Sequence, residues 1–137
     1  MSRLVHTGNA VIDLVLPVPR LPERGGDVLA GQPMALVGGG FNVMAAAARQ
    51  GLEVAYAGMH GEGPRGDQVR AALVAEGAGV LQPVVPGCDT GLVVVLVEAD
   101  GERTFVTAPG AEALLDSAAL SRVVVEPDDV VYVTGYS

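Results

Sequence analysis

The sequence predicts an α/β fold, a mainly parallel sheet with flanking helices and a small β lid, left incomplete within its 137 residues. Three observations predict it. Short Val- and Leu-rich runs alternate with helical runs along the chain. A glycine cluster opens directly into an Ala-rich helix. Late in the chain two β-rich runs meet across an Asp-Gly turn, which breaks the alternation and marks a separate β layer.

Taken in order, Arg3 to Leu16 reads as one buried strand with a bend or bulge at Gly8-Asn9, and Asp13 is the one acidic residue in it. Pro17, Pro19, Pro22 and Gly25-Gly26 then break regular structure, and Val28 to Met34 reads as a short, half-exposed strand. Gly38-Gly39-Gly40-Phe41 feeds a helix that starts near Asn42 and stops at Gly51. Glu53 to Met59 is a strand, Asp67 to Glu76 a helix with Val69, Ala72 and Leu73 on one face, and Val80 to Val85 another strand. Leu92 to Val97 and Arg103 to Thr107 form an antiparallel hairpin, since Asp100-Gly101 supplies the positive φ of a tight turn. Asp116 or Ser117 caps a short helix reaching Arg122, and Val130 to Thr134 is a buried strand ending at Gly135-Tyr136-Ser137. A parallel sheet normally follows such a strand with a crossover helix, so residues 1–137 read as the first part of one domain.

Composition narrows the function classes. Net charge is −8 and all eight basic residues are arginines scattered singly, so no basic stripe tracks a nucleic acid. The longest apolar run, Leu92 to Val97, is far shorter than the ~20 residues of a bilayer crossing, and no export signal precedes the first strand. The single Cys88 has no disulfide partner within the chain, which fits a reducing cytoplasm. His6 and His60 have no third ligand at metal spacing and read as structural, and Cys88 reads as an unreactive loop thiol.

Two glycine clusters are candidates for ligand binding. Gly38-Gly39-Gly40 exposes main-chain amides at a helix start and can grip hydroxyls or an anion, or serve only as a tight turn. Gly61-Glu62-Gly63-Pro64-Arg65-Gly66 satisfies the G-x-G-x-x-G pattern of dinucleotide sites between a strand and a helix. Glu62 sits where a pyrophosphate would lie, Pro64 removes an amide, and Asp89 is too distant for the ribose-binding acid, so an ordinary turn is the stronger reading. Asp13 stands apart: a carboxylate in an apolar strand is costly unless it meets a partner or caps a turn.

Together these positions resemble the ribokinase-like (PfkB) carbohydrate kinase family over the whole chain. Gly8-Asn9-Ala10-Val11-Ile12-Asp13 resembles its opening strand, and Leu21-Pro22-Glu23-Arg24-Gly25-Gly26-Asp27 its connector into the lid. Gly38, Gly39, Gly40, Asn42, Gly51 and Gly61 fall on the spacing of its first signature, with Met44 departing from a small residue. Thr90-Gly91, Asp100 to Phe105 and Pro109-Gly110-Ala111 are similar to its second lid hairpin and return, and Val130 to Tyr136 to a strand ending in Gly-Tyr. Ribokinase's sugar-binding Asn is Val11 here, and its glycine-loop lysine is missing.

The resemblance implies lid segments near 14–36 and 90–107. It also implies that Asp13, Gly39 and Asn42 contact the hydroxyls of a sugar or nucleoside, that Gly38 and Gly40 admit it to the backbone, and that Arg103 or Phe105 lines the lid. The intact family enzyme uses ATP and magnesium. Its catalytic Asp and nucleotide site belong to a carboxy-terminal half, so this chain is expected to hold no catalytic, cofactor-binding or metal-ligating residue. Rival readings are a non-catalytic module that dimerises through its lid strands, and a Rossmann fragment built on Gly61, Gly63 and Gly66.

Overall fold

The computed structural model describes residues 2–135, so the expectation at Tyr136 lies outside the described residues. Ten strands and three α-helices alternate. β1 (Arg3–His6), β4 (Glu53–Tyr56), β6 (Gly79–Val80) and β10 (Val130–Tyr132) form an all-parallel sheet in the order β10-β1-β4-β6. β2 (Ala10–Pro17), β3 (Met34–Gly39), β8 (Leu92–Val97) and β9 (Arg103–Ala108) form a second sheet in the order β3-β2-β8-β9. There β2 runs parallel to β8, and the outer pairs are antiparallel. β5 (His60–Gly61) and β7 (Val84–Val85) make a short parallel bridge. No helix is long and apolar enough to cross a membrane among the described residues.

The core lies where these sheets meet helix α1 (Phe41–Arg49) and helix α2 (Pro64–Ala75). Leu4, Ala10, Ile12, Met44, Val54, Tyr56, Val69, Leu73 and Ala78 pack into one cluster. Tyr56 ties the sheets together, because its hydroxyl accepts from Ala10 N at 3.0 Å and donates to Met59 O at 3.0 Å. Burial of that phenol raises its pKa well beyond the ordinary tyrosine range. Leu73 is fully buried, and its truncation to Ala would cost about 2–5 kcal/mol. A third helix, α3 (Ser117–Ser121), starts at Asp116, which accepts from Ala119 N at 2.7 Å.

Several sequence expectations are corrected here. Arg3 to Leu16 is two strands in two sheets, not one bent strand, since Gly8 turns the chain where a side chain would strike the His6 ring and the Thr134 hydroxyl. Val28 to Met34 is not a strand: β2 pairs with β3 only from Val15↔Met34 to Ala10↔Gly39, so Gly38 and Gly39 are strand residues. The strand expected over Glu53 to Met59 stops at Tyr56 as β4, with β5 following only at His60–Gly61, and Val80 to Val85 breaks between β6 and β7, where Pro83 is unable to donate. Val130 to Thr134 was expected to be buried; β10 ends at Tyr132, and Val130, Val131 and Tyr132 are exposed at the sheet edge. The hairpin is as expected, with Gly101 at φ +89°.

Candidate functional site

β2 ends its buried half at Asp13 and carries that carboxylate onto the face shared with Leu36, Val93 and Thr107 across the second sheet. Gly38, on β3, leaves space for it: a Cβ there would collide with the Asp13 carboxylate. Asp13 forms no hydrogen bond or ion pair with any described residue. Burial, with nothing to offset it, raises its pKa above the ordinary carboxylate value. An unpartnered, half-buried acid costs stability, which makes Asp13 a candidate for ligand binding.

A cavity of about 330 Å³ opens beside this acid. It is lined by Asn9, Val11, Asp13, Gly39, Gly40 and Phe105, with Val93, Thr107, Glu112 and Thr134 completing the wall. Gly39 adopts φ +64° and packs against the Asn9 carboxamide, a backbone conformation that favours glycine. Gly40 N donates to Asn9 O at 2.7 Å, and Gly40 caps α1 with no side chain bonded to that helix end. A side chain on Gly40 would strike the His6 ring, so the turn is held bare from beneath.

Of the expected site residues, Asp13, Gly39, Gly40 and Phe105 come together at this cavity. Gly38 does not line the space and instead leaves room for the Asp13 carboxylate. Asn42 sits exposed on the first turn of α1 and Arg103 exposed at the far end of β9, and neither is among the cavity's lining residues. Sequence reasoning missed Asn9, Thr134 and above all Glu112. Glu112 lies in a 3-10 turn (Ala111–Leu114) and is 7% exposed, and its two carboxylate oxygens accept from Gly91 N at 2.7 Å and Gly110 N at 2.9 Å. The one signal was its position just after Pro109-Gly110-Ala111, the return from the hairpin.

The other glycine cluster is closed. Asp89 accepts from Gly66 N at 2.8 Å, Arg65 N at 3.2 Å and Thr90 N at 2.7 Å, filling the amino end of α2. Burial alone would raise the pKa of Asp89, but those three amides and the Arg65 guanidinium outweigh it and lower the value. A pyrophosphate would have to displace a built-in carboxylate, so the dinucleotide reading loses its site.

The two histidines serve the frame. His60 lies between the Gln82 carbonyl at 2.8 Å and the Arg70 guanidinium at 2.9 Å. His6 accepts from Gly8 N at 3.1 Å, stacks on Tyr132 with ring centroids 5.1 Å apart, and leaves Nε2 buried without a partner among the described residues. Burial lowers both pKa values, with the Arg70 charge adding to the effect at His60. The Cys88 thiol is half-buried and reaches only the Asp89 carbonyl at 3.6 Å. Among the described residues no group of three or more His, Cys, Asp or Glu could hold a metal ion.

The chain is similar to known proteins in sequence and in fold. The profile of the family described as "pfkB family carbohydrate kinase" matches residues 1–137. An uncharacterized sugar kinase of Escherichia coli (strain K12), YegV, is 36% identical over 130 residues, which are 94% of this chain and 40% of that protein. The chain thus spans well under half of that relative's length. The crystal structure of a ribokinase from Cryptococcus neoformans var. grubii serotype A in complex with ADP superposes with a TM-score of 0.72 at 30% identity, over 80% of this chain and 34% of the other. A ribokinase of Arabidopsis thaliana complexed with ribose and ATP gives 0.62 at 28% identity, over 81% and 37%.

Proposed function

From the fact that the chain belongs to the pfkB family of carbohydrate kinases, we propose that residues 1–137 supply the acceptor side of a kinase that transfers the γ-phosphoryl group of ATP to a hydroxyl of a sugar or nucleoside. The observation that carries this reading is Asp13, an acid without a partner facing a cavity beside a bare glycine turn. Asp13 accepts hydrogen bonds from ligand hydroxyls, and each such bond to a charged group contributes about 1.5–3 kcal/mol. Main-chain groups at Gly39 and Gly40 and the Asn9 carboxamide orient the same ring, and Phe105 covers its apolar face.

The second sheet acts as the lid. Its β8–β9 hairpin closes over the ligand and excludes water from the reaction. Asn42, on α1, stands outside the cavity in this arrangement, as does Arg103 on β9, which reaches the ligand only if the lid moves.

The described residues do not fit ATP with magnesium. The α2 turn is occupied by Asp89, and among the described residues no group of three or more His, Cys, Asp or Glu could hold a metal ion. We therefore assign the nucleotide, the magnesium and the base that takes the acceptor's proton to residues outside 1–137, and derive no step through them. A cytoplasmic setting agrees with one unpaired cysteine and an ATP-dependent reaction.

Titrating neutral sugars and nucleosides into the chain, followed by amide chemical shifts, tests the proposal. Shifts confined to residues near Asn9, Asp13 and Gly38–Gly40 are expected for a ligand that fits. No shift with any of them, or shifts at Gly61–Gly66 on adding NAD, would end it. A coupled assay of ADP release should stay at background for this chain alone.

A second reading, a module that pairs with another copy through its lid strands, is favoured by one observation. β3 and β9 are the edges of the second sheet, and Met34, Leu36, Phe105 and Val106 on them are all exposed. Light scattering across a concentration series separates a dimer from a monomer.

A further inference from the structure

The cavity has an unbalanced charge. Two carboxylates, Asp13 and Glu112, line it, and the other lining residues are Asn9, two glycines, two threonines and apolar side chains, with no arginine or histidine among them. Neither acid is neutralised from behind by a cation. Asp13 has no partner among the described residues, and both Glu112 oxygens are taken by main-chain amides, those of Gly91 and Gly110.

Glu112 is held in place by both amides, and Gly91 leaves the room it occupies, since a Cβ there would collide with its carboxylate. At 7% exposure its charge is poorly screened by water, so it acts strongly on whatever enters the cavity. The net charge of −8 over the chain reinforces the same field at longer range.

We propose that Glu112, acting with Asp13, is a charge filter: the cavity admits polyols that are uncharged or carry an ammonium group, and rejects those that carry a phosphate or a carboxylate. The proposal rests on the reading of this cavity as a polyol site and names the substrate class of that site. Sugars already phosphorylated and sugar acids are therefore not acceptors. Amino sugars are tolerated, since an ammonium group placed near either acid gains a charge-assisted hydrogen bond. The two roles differ. Asp13 is free to accept hydroxyl protons, whereas Glu112 is fixed and sets the sign of the potential.

Calorimetric titrations of the chain with matched series test this. One series is glucose, glucosamine and glucuronate; the other is ribose and ribose 5-phosphate; both are run at low and high ionic strength. Glucuronate and ribose 5-phosphate should bind at least about 10-fold more weakly than their neutral parents, as two poorly screened like charges demand. High salt should narrow that gap while leaving the neutral constants in place.

Glu112→Gln should narrow the gap at low salt. Because Gln would set an amide donor against Gly91 or Gly110 and weaken the fold, Asp13→Asn provides a second reduction in charge without touching those amides. If an anionic sugar binds as tightly as its neutral parent, the filter is wrong and the polyol reading stands. If no member of either series binds, both fall together.

Discussion

Two glycine-rich turns lead from a strand into a helix in this chain, and their chemistry is opposite. At Gly61–Gly66 the start of α2 is filled by Asp89, whose carboxylate accepts from the Arg65 and Gly66 amides there and from Thr90 N beside it. At Gly38–Phe41 the start of α1 carries no side-chain cap, and the nearby acid, Asp13, makes no hydrogen bond or ion pair with any described residue. Both turns look alike in sequence. The first uses its acid to close the helix start, and the second keeps the acid that we propose for a ligand, which teaches that a glycine motif reports a site only once the occupant of its amides is known.

The largest expected effect breaks the closed turn. A Cβ on Gly66 would collide with the Gly61 carbonyl oxygen, which is fixed backbone, so Gly66→Ala should lose roughly 3 kcal/mol in denaturant melts. At the open turn Gly38→Ala meets only the movable Asp13 side chain, and it should weaken sugar binding with a small change in stability. Equal stability losses in the two variants would erase the contrast.

Next in size, Asp89→Ala uncaps α2 and should cost about 1–2 kcal/mol while leaving the sugar constant unchanged. A fall in sugar affinity at unaltered stability would move the ligand to the α2 turn.

Smaller still is the acid response of the frame. His6 and His60 have folded pKa values below the ordinary 6.5, so the unfolded chain binds protons more readily. Their contribution is fully present above that pH and is lost as pH falls through the folded values. Melting temperatures should therefore decline below about pH 6.5, before most carboxylates titrate, and the loss should shrink in His60→Gln. A flat profile from pH 7 to 5 would contradict the burial of these rings as neutral groups.

The frame was legible wherever local chemistry decides structure. Asp100-Gly101 dictates the hairpin turn, Asp116 caps α3, and Val69 and Leu73 mark the buried side of α2. Asp13 stood out because an acid is conspicuous in an apolar strand. What failed depended on distant partners. Residues 28–34 could pair in principle, but β2 offers its edge only to Met34–Gly39. Val130 reads as core, yet it is exposed on the edge strand of its sheet. Glu112 looked like one more surface acid, because its burial follows from Gly91 and Gly110 meeting across the base of the hairpin, 19 residues apart in sequence. Asn42 fits the signature by spacing, and it is exposed on α1 and does not line the cavity.

The most direct test of the central claim is to measure sugar affinity and melting temperature for the wild-type chain and Asp13→Asn on matched preparations. A raised carboxylate pKa means the ionised acid destabilises the fold as pH climbs past the ordinary 3.8 through the folded value. Asp13→Asn should therefore melt higher at pH 7, with the gain vanishing in acid, while sugar binding weakens by roughly 10-fold or more. A variant that melts lower and binds sugar as well as the wild type would make Asp13 a structural residue and contradict the account.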